Sequence, residues 1–401
     1  MSSKNKKWIH KRHLRFKKFL YVLLKSKTKK GFGYTWEDFD DINNRNYLIL
    51  YNHVTNFDQF MLGYSFKDVP IYYVATEDLF SIPFVSPLIK FLVNPIPFKK
   101  STNDVRAVMN CVKVAKEGGS IAIAAEGNRT YSGTTESIKS SIAKLVKSLK
   151  LPIAFFIIEG GYGVKPRWAN DERTGHMHGC VKKVLEYEDY KDLSNDELYN
   201  IIKENLYQDD TQINDTYRSK HQAEYLERVL YVCPKCGLSK FESKGDKVHC
   251  IHCDLEATYN EHAKFESNDP NFKFKTVKEW YDYQNAFINN LDLMNYEGII
   301  YQDEVKLFKV IVYKRKQRIA KCKMIMYKDH YEFVHKKFKL ELSFDEVYAA
   351  SVLGKNKCNI YIGDDVYQVK SSNRFNACKY VNIYYRYKNI KENNNEQFLG
   401  L

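Results

Sequence analysis

Between residues 45 and 190 the chain alternates short apolar runs with longer amphipathic segments. Strands separated by helices of about 10 to 15 residues are typical of a sheet with helices packed on its faces. This stretch therefore predicts an α/β domain, and a length of 401 residues leaves room for further domains. In chain order the pieces are the apolar runs 47–51 and 71–75, the amphipathic segment 104–117, the run 120–125, the amphipathic segment 137–149 and the run 152–158.

The chain changes character after this stretch. A polar helical segment over 190–230 leads into a cysteine cluster and a further helix. From residue 305 onward short β runs alternate with turns, and an amphipathic segment follows over 372–387. We expect an antiparallel β domain closed by a C-terminal helix, which resembles PH and GRAM-type lipid-binding domains in its element order. Basic clusters at two predicted turns, 314–316 and 336–337, suit phospholipid headgroups or are ordinary solvated loops.

Every charged residue of the N-terminal segment is basic, because the first acidic residue of the chain is Glu37. Its longest apolar run, Phe19–Leu24, is too short for a secretory signal or for a membrane-spanning helix, which needs about 20 apolar residues. A basic amphipathic helix that lies in a membrane interface fits the pattern, and a solvated basic arm packed on its own domain is the alternative. We therefore expect a cytoplasmic protein that is peripheral on the inner face of the cell membrane.

Four of the nine cysteines form two CxxC pairs separated by 13 residues, Cys233 and Cys236 followed by Cys250 and Cys253. Two such pairs typically bring four thiolates onto one tetrahedral Zn²⁺ ion. A closed shell of four thiolates leaves no open position, so this pattern predicts a structural zinc ribbon. His249 and His252 remain as alternative ligands beside it.

A histidine and an aspartate follow the first predicted strand, in the run Asn52-His53-Val54-Thr55-Asn56-Phe57-Asp58. If the chain turns into a helix there, the Asp58 carboxylate can reach one ring nitrogen of His53. That hydrogen bond would fix the tautomer and leave the other nitrogen as a base. A purely structural His–Asp pair at a strand end is the alternative.

Three further segments carry groups suited to a phosphate-bearing ligand. Glu126-Gly127-Asn128-Arg129 follows another predicted strand, and its guanidinium offers a planar fork of donors. The rigid loop 95–101 presents the ammonium groups of Lys99 and Lys100. Pro152 begins the last strand of the α/β stretch. Each segment taken alone has a structural alternative. The first can be an ordinary turn, the second a solvated basic loop and the third an edge strand.

In this order the four segments resemble the motifs of the glycerolipid acyltransferase family, over roughly residues 40 to 190. Asn52, His53 and Asp58 match the family's NHxxxxD motif, and Glu126, Gly127 and Arg129 match its EGTR motif. Asn128 replaces the usual threonine, and Ala125 the usual preceding proline. In the second motif Lys100 takes the place of the usual arginine and Lys99 that of an acidic residue, while Pro152 matches the proline of the fourth motif.

The resemblance implies an enzyme that moves a fatty acyl group from acyl-CoA or acyl carrier protein to the hydroxyl of 1-acylglycerol-3-phosphate. His53 would take the hydroxyl proton while Asp58 holds the imidazole. The segment Glu126–Arg129, which includes Gly127 and Asn128, would position the lysophospholipid acceptor, and Lys100 would help to neutralise its phosphate. One alternative is an acyltransferase for another lysolipid acceptor, and a second is a catalytically idle membrane scaffold. The intact His53 and Asp58 argue against the idle scaffold.

The expected domain order follows from these assignments. It comprises a membrane-docking segment (1–40), an acyltransferase domain with a mixed sheet flanked by helices (41–215), the zinc ribbon (231–262) and the PH/GRAM-like β domain (300–391). A formal net charge of +14 implies an anionic partner, for which we expect an anionic membrane surface. A nucleic-acid partner is not expected, because the sequence has no long basic stripe interleaved with aromatic residues.

Overall fold

A computed structural model describes residues 7–40, 45–76, 79–80, 82, 84–98, 104–311 and 316–393, with the side chains of residues 24–32 left undescribed. Lys99 and Lys100, and Lys314 and Arg315 of the first C-terminal basic cluster, lie outside the described residues. Among the helices of the described part, none is both long enough and apolar enough to cross a membrane.

The chain divides into two compact units. The first comprises Met1–Pro166 and Thr174–Asp215, and the second comprises Arg167–Arg173 and Thr216–Leu401. The elements of the first unit are α1 (Lys11–Phe32), β1 (Tyr34–Trp36), β2 (Leu48–Tyr51), α2 (Asp58–Ser65), β3 (Ile71–Thr76), α3 (Val85–Leu92), β4 (Ile96–Phe98), α4 (Val105–Lys116), β5 (Ser120–Ala124), α5 (Ser141–Leu149), β6 (Ile153–Glu159), α6 (Gly161–Val164), β7 (Met177–Leu185), α7 (Tyr187–Tyr190) and α8 (Asn195–Leu206).

The sheet of the first unit is mixed, with strand order β1-β7-β6-β2-β5-β3-β4. From β6 to β4 the neighbouring strands run parallel, whereas β7 runs antiparallel to β6 and carries β1 parallel to itself at the edge. β2 lies in the middle, and all four of its residues are buried. A continuous apolar run is what a parallel strand covered on both faces requires. The predicted α/β sheet is therefore confirmed.

Each of the four predicted strands and both predicted helices of this unit is present. The structure adds three strands that the sequence analysis did not assign, β1, β4 and β7. β1 and β4 have three residues each, too few for an alternation to be visible. β7 contains Gly179, Lys182 and Lys183, which interrupt its apolar pattern. The segment 1–40, expected to dock on a membrane, thus contributes one strand to the main sheet.

The helix α1 packs on the first unit through one face and exposes another. The buried Lys17 ammonium donates to the carbonyl oxygens of Phe66 and Val69 at 2.9 and 2.6 Å. Burial lowers the pKa of Lys17 to about 7. The Tyr21 ring lies so close to Gly63 that a Cβ there would overlap its hydroxyl. α1 is therefore a folded part of the unit, although Phe19, Val22 and Leu23 on its other face are exposed.

The second unit begins with small sheets around the cysteines and ends in a larger antiparallel sheet. Its elements are β8 (Val232–Cys233), β9 (Gly237–Leu238), β10 (Phe241–Lys244), β11 (Lys247–Cys250), β12 (Glu256–Tyr259), β13 (Phe265–Glu266), α9 (Val277–Asn290), β14 (Tyr301–Val310), β15 (Gln317–Met326), β16 (His330–His335), β17 (Phe338–Ser343), β18 (Val347–Leu353), β19 (Lys357–Ile362), β20 (Asp365–Lys370) and α10 (Cys378–Lys391).

The larger sheet has the order β17-β16-β15-β14-β20-β19-β18, and every neighbouring pair is antiparallel. This confirms the antiparallel β domain and its closing helix. The helix begins at Cys378 rather than near 372, because the Asn376 side chain accepts from the backbone N–H of Lys379 as the chain enters it. β18 was not predicted, since Ala349, Ala350 and Ser351 at its centre are neither β-branched nor aromatic.

Gly33, which joins α1 to β1, lies against the backbone of Gly175, and a substitution at Gly33 can test this close approach. It has a φ of +66°, and an added Cβ would lie 2.5 Å from the Gly175 carbonyl oxygen. We predict that Gly33→Ala lowers the free energy of unfolding of this unit by about 2–5 kcal/mol, through left-handed strain plus the clash. Gly118→Ala is the matched control. Its φ is +86° with no atom within 4 Å of the added Cβ, so strain alone should cost about 1–2 kcal/mol. Equal losses in urea unfolding would contradict the close approach.

Candidate active site

The strand order places polar side chains from separate parts of the sequence at one edge of the sheet. β5, β2 and β6 are parallel neighbours, so their carboxyl ends meet at the same edge. The residues that follow β2 and β5 are Asn52-His53 and Ala125-Glu126. The crevice outside the carboxyl ends of parallel strands is where α/β proteins commonly bind ligands.

The His53 ring is held by Asp58, the first residue of α2. Nδ1 of His53 lies 2.7 Å from Oδ2 of Asp58. The same oxygen accepts the backbone N–H of Val54 at 2.8 Å, and Oδ1 accepts both the N–H and the hydroxyl of Thr55 at 2.8 Å each. Four donors converge on a carboxylate that is fully buried. An acceptor saturated in this way is ionised, and it fixes the turn from β2 into α2.

This arrangement determines what the imidazole can do. Because an ionised carboxylate only accepts hydrogen bonds, Nδ1 must carry the proton that it shares with Asp58. Nε2 of the neutral ring then has a free lone pair and can take a proton. The His53 side chain is 26% exposed and lines a small cleft with Glu126, Thr130 and Asp210. A general base oriented by a buried carboxylate is the chemistry that this geometry supports.

Glu126 holds the backbone of His53. Its Oε1 accepts the His53 N–H at 2.8 Å, and its Oε2 accepts the Glu136 N–H at 2.6 Å. On the other side, the Thr130 N–H donates to the His53 carbonyl at 3.2 Å. Burial raises the pKa of Glu126 well above its ordinary value, and the two N–H donors oppose that shift. Both carboxylate oxygens of Glu126 thus have backbone partners within the protein.

Asn52 ties the end of β2 to β6. Its Nδ2 donates to the Ile158 carbonyl and its Oδ1 accepts the Ile158 N–H, each at 2.8 Å. The amide therefore extends the ladder between these two strands by one more pair of hydrogen bonds. Since His53 is the next residue, this reciprocal pair fixes the direction in which the chain leaves the sheet.

The rest of the Glu126–Arg129 segment lies between Glu126 and Thr130, and both of these residues hydrogen-bond to the His53 backbone. Gly127 has a φ of +68° and is exposed, so the turn needs a residue that tolerates the left-handed region. Asn128 is buried, and Arg129 is half-buried. Lys100, which was predicted to bind the acceptor phosphate, falls outside the described residues.

A buried carboxylate that the sequence analysis missed lines the same cleft. Asp210 accepts the backbone N–H of Gly160 at 3.1 Å and of Tyr162 at 2.8 Å, where the chain leaves β6. The Gln208 side chain also donates to it, at 3.2 Å. Burial raises the pKa of Asp210 to about 6. No spacing in the sequence marks Asp210, because it returns to the sheet from 50 residues beyond Gly160.

The four predicted metal ligands come together in the second unit. The Sγ atoms of Cys233, Cys236, Cys250 and Cys253 all lie within 4.8 Å of one another. Cys233 and Cys253 are 3.7 Å apart, and Cys236 and Cys250 are 3.5 Å apart. Tetrahedral zinc with Zn–S bonds of about 2.3 Å requires sulfur separations of roughly 3.8 Å. The four cysteines therefore fit a zinc ion.

His252 lies beside these cysteines rather than among them. Its Nδ1 is 3.2 Å from the Ser239 hydroxyl, which in turn is 2.9 Å from the Cys250 sulfur. His249 is 3.7 Å from the carboxylate of Glu242. Neither histidine belongs to a cluster of potential metal ligands among the described residues.

One protein-family model matches part of the first unit. Residues 34–159, from β1 to the end of β6, match the family model described as Acyltransferase. The match supports an acyltransferase domain in the first unit and an enzyme of the acyltransferase class. It contains His53, Asp58, Glu126, Gly127, Asn128 and Arg129.

Among solved structures, the chain is similar to the crystal structure of the 1-acyl-sn-glycerophosphate (LPA) acyltransferase PlsC from Thermotoga maritima. The two are 22% identical over 48% of this chain and 75% of that chain, with a TM-score of 0.38. The comparison with curated proteins gave no match.

The His53–Asp58 pair generates the first prediction on activity. His53→Ala should reduce acyl transfer by at least about 10²–10⁴-fold, since it removes the base, while circular dichroism remains unchanged. Asp58→Asn should lose less but still heavily, because an amide can turn its NH₂ toward Nδ1 and favour the wrong tautomer. His262→Ala, at an exposed histidine of the second unit, is the control and should keep full activity. More than a few per cent of wild-type turnover in His53→Ala would rule out His53 as the base.

Proposed function

We propose that this chain transfers a fatty acyl group from acyl-CoA or acyl carrier protein to a free hydroxyl of a lysophospholipid, with 1-acylglycerol-3-phosphate (lysophosphatidic acid) as acceptor. The observation that carries the proposal is the His53 imidazole, held by Asp58 at the carboxyl edge of the sheet with Nε2 free. The acyltransferase family match supports the reaction class. The motif resemblance supports the acceptor.

The proposed step needs one base and one acid, and His53 supplies both. Nε2 takes the proton of the acceptor hydroxyl as its oxygen attacks the thioester carbonyl. When the tetrahedral intermediate collapses, the C–S bond breaks and the thiolate receives the proton from the imidazolium. Asp58 stabilises the imidazolium through Nδ1 while the charge exists. Well-oriented reactants can recover roughly 7–11 kcal/mol of the barrier, which gives the rigid support of His53 its importance.

The acceptor phosphate would be bound near Arg129. A guanidinium offers parallel donors to two phosphate oxygens, and Asn128 and Gly127 border the same turn. Lys100 is proposed as a second phosphate ligand on the motif resemblance alone. For Glu126 the hydrogen bonds favour a role as a positioning residue that acts through the His53 backbone, because both of its oxygens accept N–H groups of the protein.

A second proposal concerns the membrane. α1 and the α3 region expose a set of large apolar side chains, here called the α1–α3 surface, which comprises Phe19, Val22, Leu23, Phe84, Val85, Leu88 and Phe91. The two helices are in contact, since the Arg12 guanidinium donates to the Phe91 carbonyl at 2.9 Å and lies 4.4 Å from its ring centroid. Phe84 is 92% exposed. Soluble surfaces rarely gather so many large apolar groups without a partner.

Basic side chains accompany this apolar surface. Lys11, Arg12, Arg15 and Lys90 are exposed on the same two helices. Each such charge near an anionic bilayer contributes about 1 kcal/mol of attraction. We propose that the α1–α3 surface embeds in the cytoplasmic leaflet of the cell membrane, where the lysolipid acceptor resides.

The second unit is proposed to contain a structural zinc ribbon and a lipid-binding module. The four cysteines would hold the zinc ion, whose contribution is to the folding of this segment rather than to the reaction. The PH/GRAM-like assignment is supported by seven antiparallel strands and a closing helix among the described residues. Lys336 and Lys337 are exposed between β16 and β17, at the predicted turn.

Lipid mass spectrometry on the purified full chain tests the activity. With acyl-CoA or acyl carrier protein and a panel of lysolipids, we expect an acylated product from lysophosphatidic acid that requires His53. Arg129→Lys should mainly raise KM for that acceptor, since an ammonium cannot replace the bidentate fork. Thiol release without an acylated lipid would contradict acyl transfer to a lipid. Product from a different lysolipid alone would reassign the acceptor, and no product from any pair would favour the idle scaffold.

Vesicle flotation tests the membrane proposal. Replacing Phe19, Leu23, Phe84 and Leu88 together by serine should weaken binding to anionic vesicles at least tenfold, because that requires a loss of only about 1.4 kcal/mol. Activity on a detergent-soluble acceptor should remain. The control replaces Ile299 and Tyr348, two exposed apolar residues of the second unit, in the same way. Unchanged binding of the fourfold variant, or equal loss in the control, would move the docking role away from the α1–α3 surface.

A further inference from the structure

The sequence of β7 carries a pattern that the proposed acyl transfer does not use. His176, His178 and Cys180 alternate with Met177 and Gly179. Since side chains of a strand alternate between its two faces, the three share one face. β1 lies beside β7 in parallel register, with Thr35 opposite His178. The same alternation places Thr35 and Glu37 on that face of the neighbouring strand.

The structure brings three metal-ligating groups of this face together. Ligand atoms of Glu37, His178 and Cys180 all lie within 4.8 Å of one another. His178 Nε2 is 3.5 Å from Glu37 Oε1. Two ligands on a tetrahedral zinc ion, with bonds of about 2.0–2.2 Å, lie roughly 3.3–3.6 Å apart. The observed separation is thus already that of two ligands of one ion.

Thr35 orients the His178 ring toward this point. Its hydroxyl oxygen is 2.9 Å from Nδ1 of His178 and 2.9 Å from Nε2 of His176, and it can donate to the Met177 carbonyl at 3.4 Å. When the hydroxyl donates to Met177, its oxygen accepts N–H groups from both rings. Nε2 of His178 is then left with a lone pair that faces the Glu37 carboxylate. Outer hydrogen bonds of this kind orient histidine ligands in metal sites.

A ring nitrogen and a carboxylate oxygen at this separation can share a metal ion or, when Nε2 is protonated, form an ion pair. The thiol of Cys180 distinguishes the two cases. An imidazolium–carboxylate pair needs no sulfur, whereas nitrogen, oxygen and sulfur together form a ligand set that suits zinc.

We propose that Glu37, His178 and Cys180 bind zinc or a similar divalent metal ion, with water as the fourth ligand. The ion would link the edge strand β1 to β7, in addition to backbone bonds such as that from the Glu37 N–H to the Gly179 carbonyl at 2.9 Å. This site belongs to the first unit and is separate in sequence from the four cysteines of the ribbon. Its contribution is to hold β1 in the sheet, and the acyl-transfer step does not involve it.

Metal analysis of the full chain tests the proposal. As purified, the protein should carry one zinc ion in the four-cysteine site, and equilibration with added zinc followed by gel filtration should raise this to two. Cys180→Ser, His178→Ala and Glu37→Gln should each stay at one. His330→Ala is the matched control, since His330 forms a comparable pair with Asp329 at 2.7 Å but has no cysteine beside it. It should still reach two.

Cobalt(II) and alkylation give independent readouts. Added cobalt should produce a thiolate-to-cobalt absorption band that exceeds the band of Cys180→Ser, and zinc should slow alkylation of Cys180 as measured by mass spectrometry of its peptide. If wild type and Cys180→Ser bind the same amount of metal and zinc does not protect Cys180, the proposal is wrong and His178 simply forms an ion pair with Glu37. Acyl transfer would be unaffected by that result, so the two proposals fail separately.

Discussion

The pairing of β2 with a parallel strand on each side is the constraint on which the candidate active site depends. β5 and β6 flank β2 and run in the same direction, so three chain segments leave the sheet at one edge. A shift of β2 by one residue against either neighbour would place His53 on the other face of the sheet. The buried apolar side chains of β2 oppose such a shift, since they fill the layers on both sides of the sheet.

The polar groups at that edge have a common consequence, which is to remove freedom from His53. Its N–H is bound by Glu126, its carbonyl by Thr130 and its Nδ1 by Asp58. The preceding residue is bound to β6 through its amide. A side chain oriented this completely loses little further entropy when a reaction begins. A general base that is oriented before substrate binds lowers the entropic part of the activation barrier.

The sequence predicted the parts of the site that are local and missed those that depend on strand order. His53 and Asp58 lie five residues apart in one turn, so their contact follows from the turn alone. The clustering of the four cysteines was equally accessible, because each CxxC pair keeps two sulfur atoms close together. Glu126 was predicted only to position the acceptor, and its bond to the His53 backbone was not foreseen because it depends on β5 lying beside β2. Asp210 and the edge strand β1 were missed, because each reaches its neighbours across a long stretch of chain and has no local signal.

The hydrogen bonds also explain why each polar position needs its own residue type. Asn52 faces one carbonyl and one N–H of Ile158, so it must donate and accept at once, which an amide does and a carboxylate does not. Glu126 faces two N–H groups and needs two acceptors, which a carboxylate supplies. A glutamine there would turn an NH₂ toward one of those donors and leave a buried N–H without an acceptor, at a cost of about 1–3 kcal/mol. Asp58 faces four donors, and only an ionised carboxylate accepts them all. The amide and the two acids around His53 therefore follow from hydrogen-bond complementarity within the protein, before any substrate is considered.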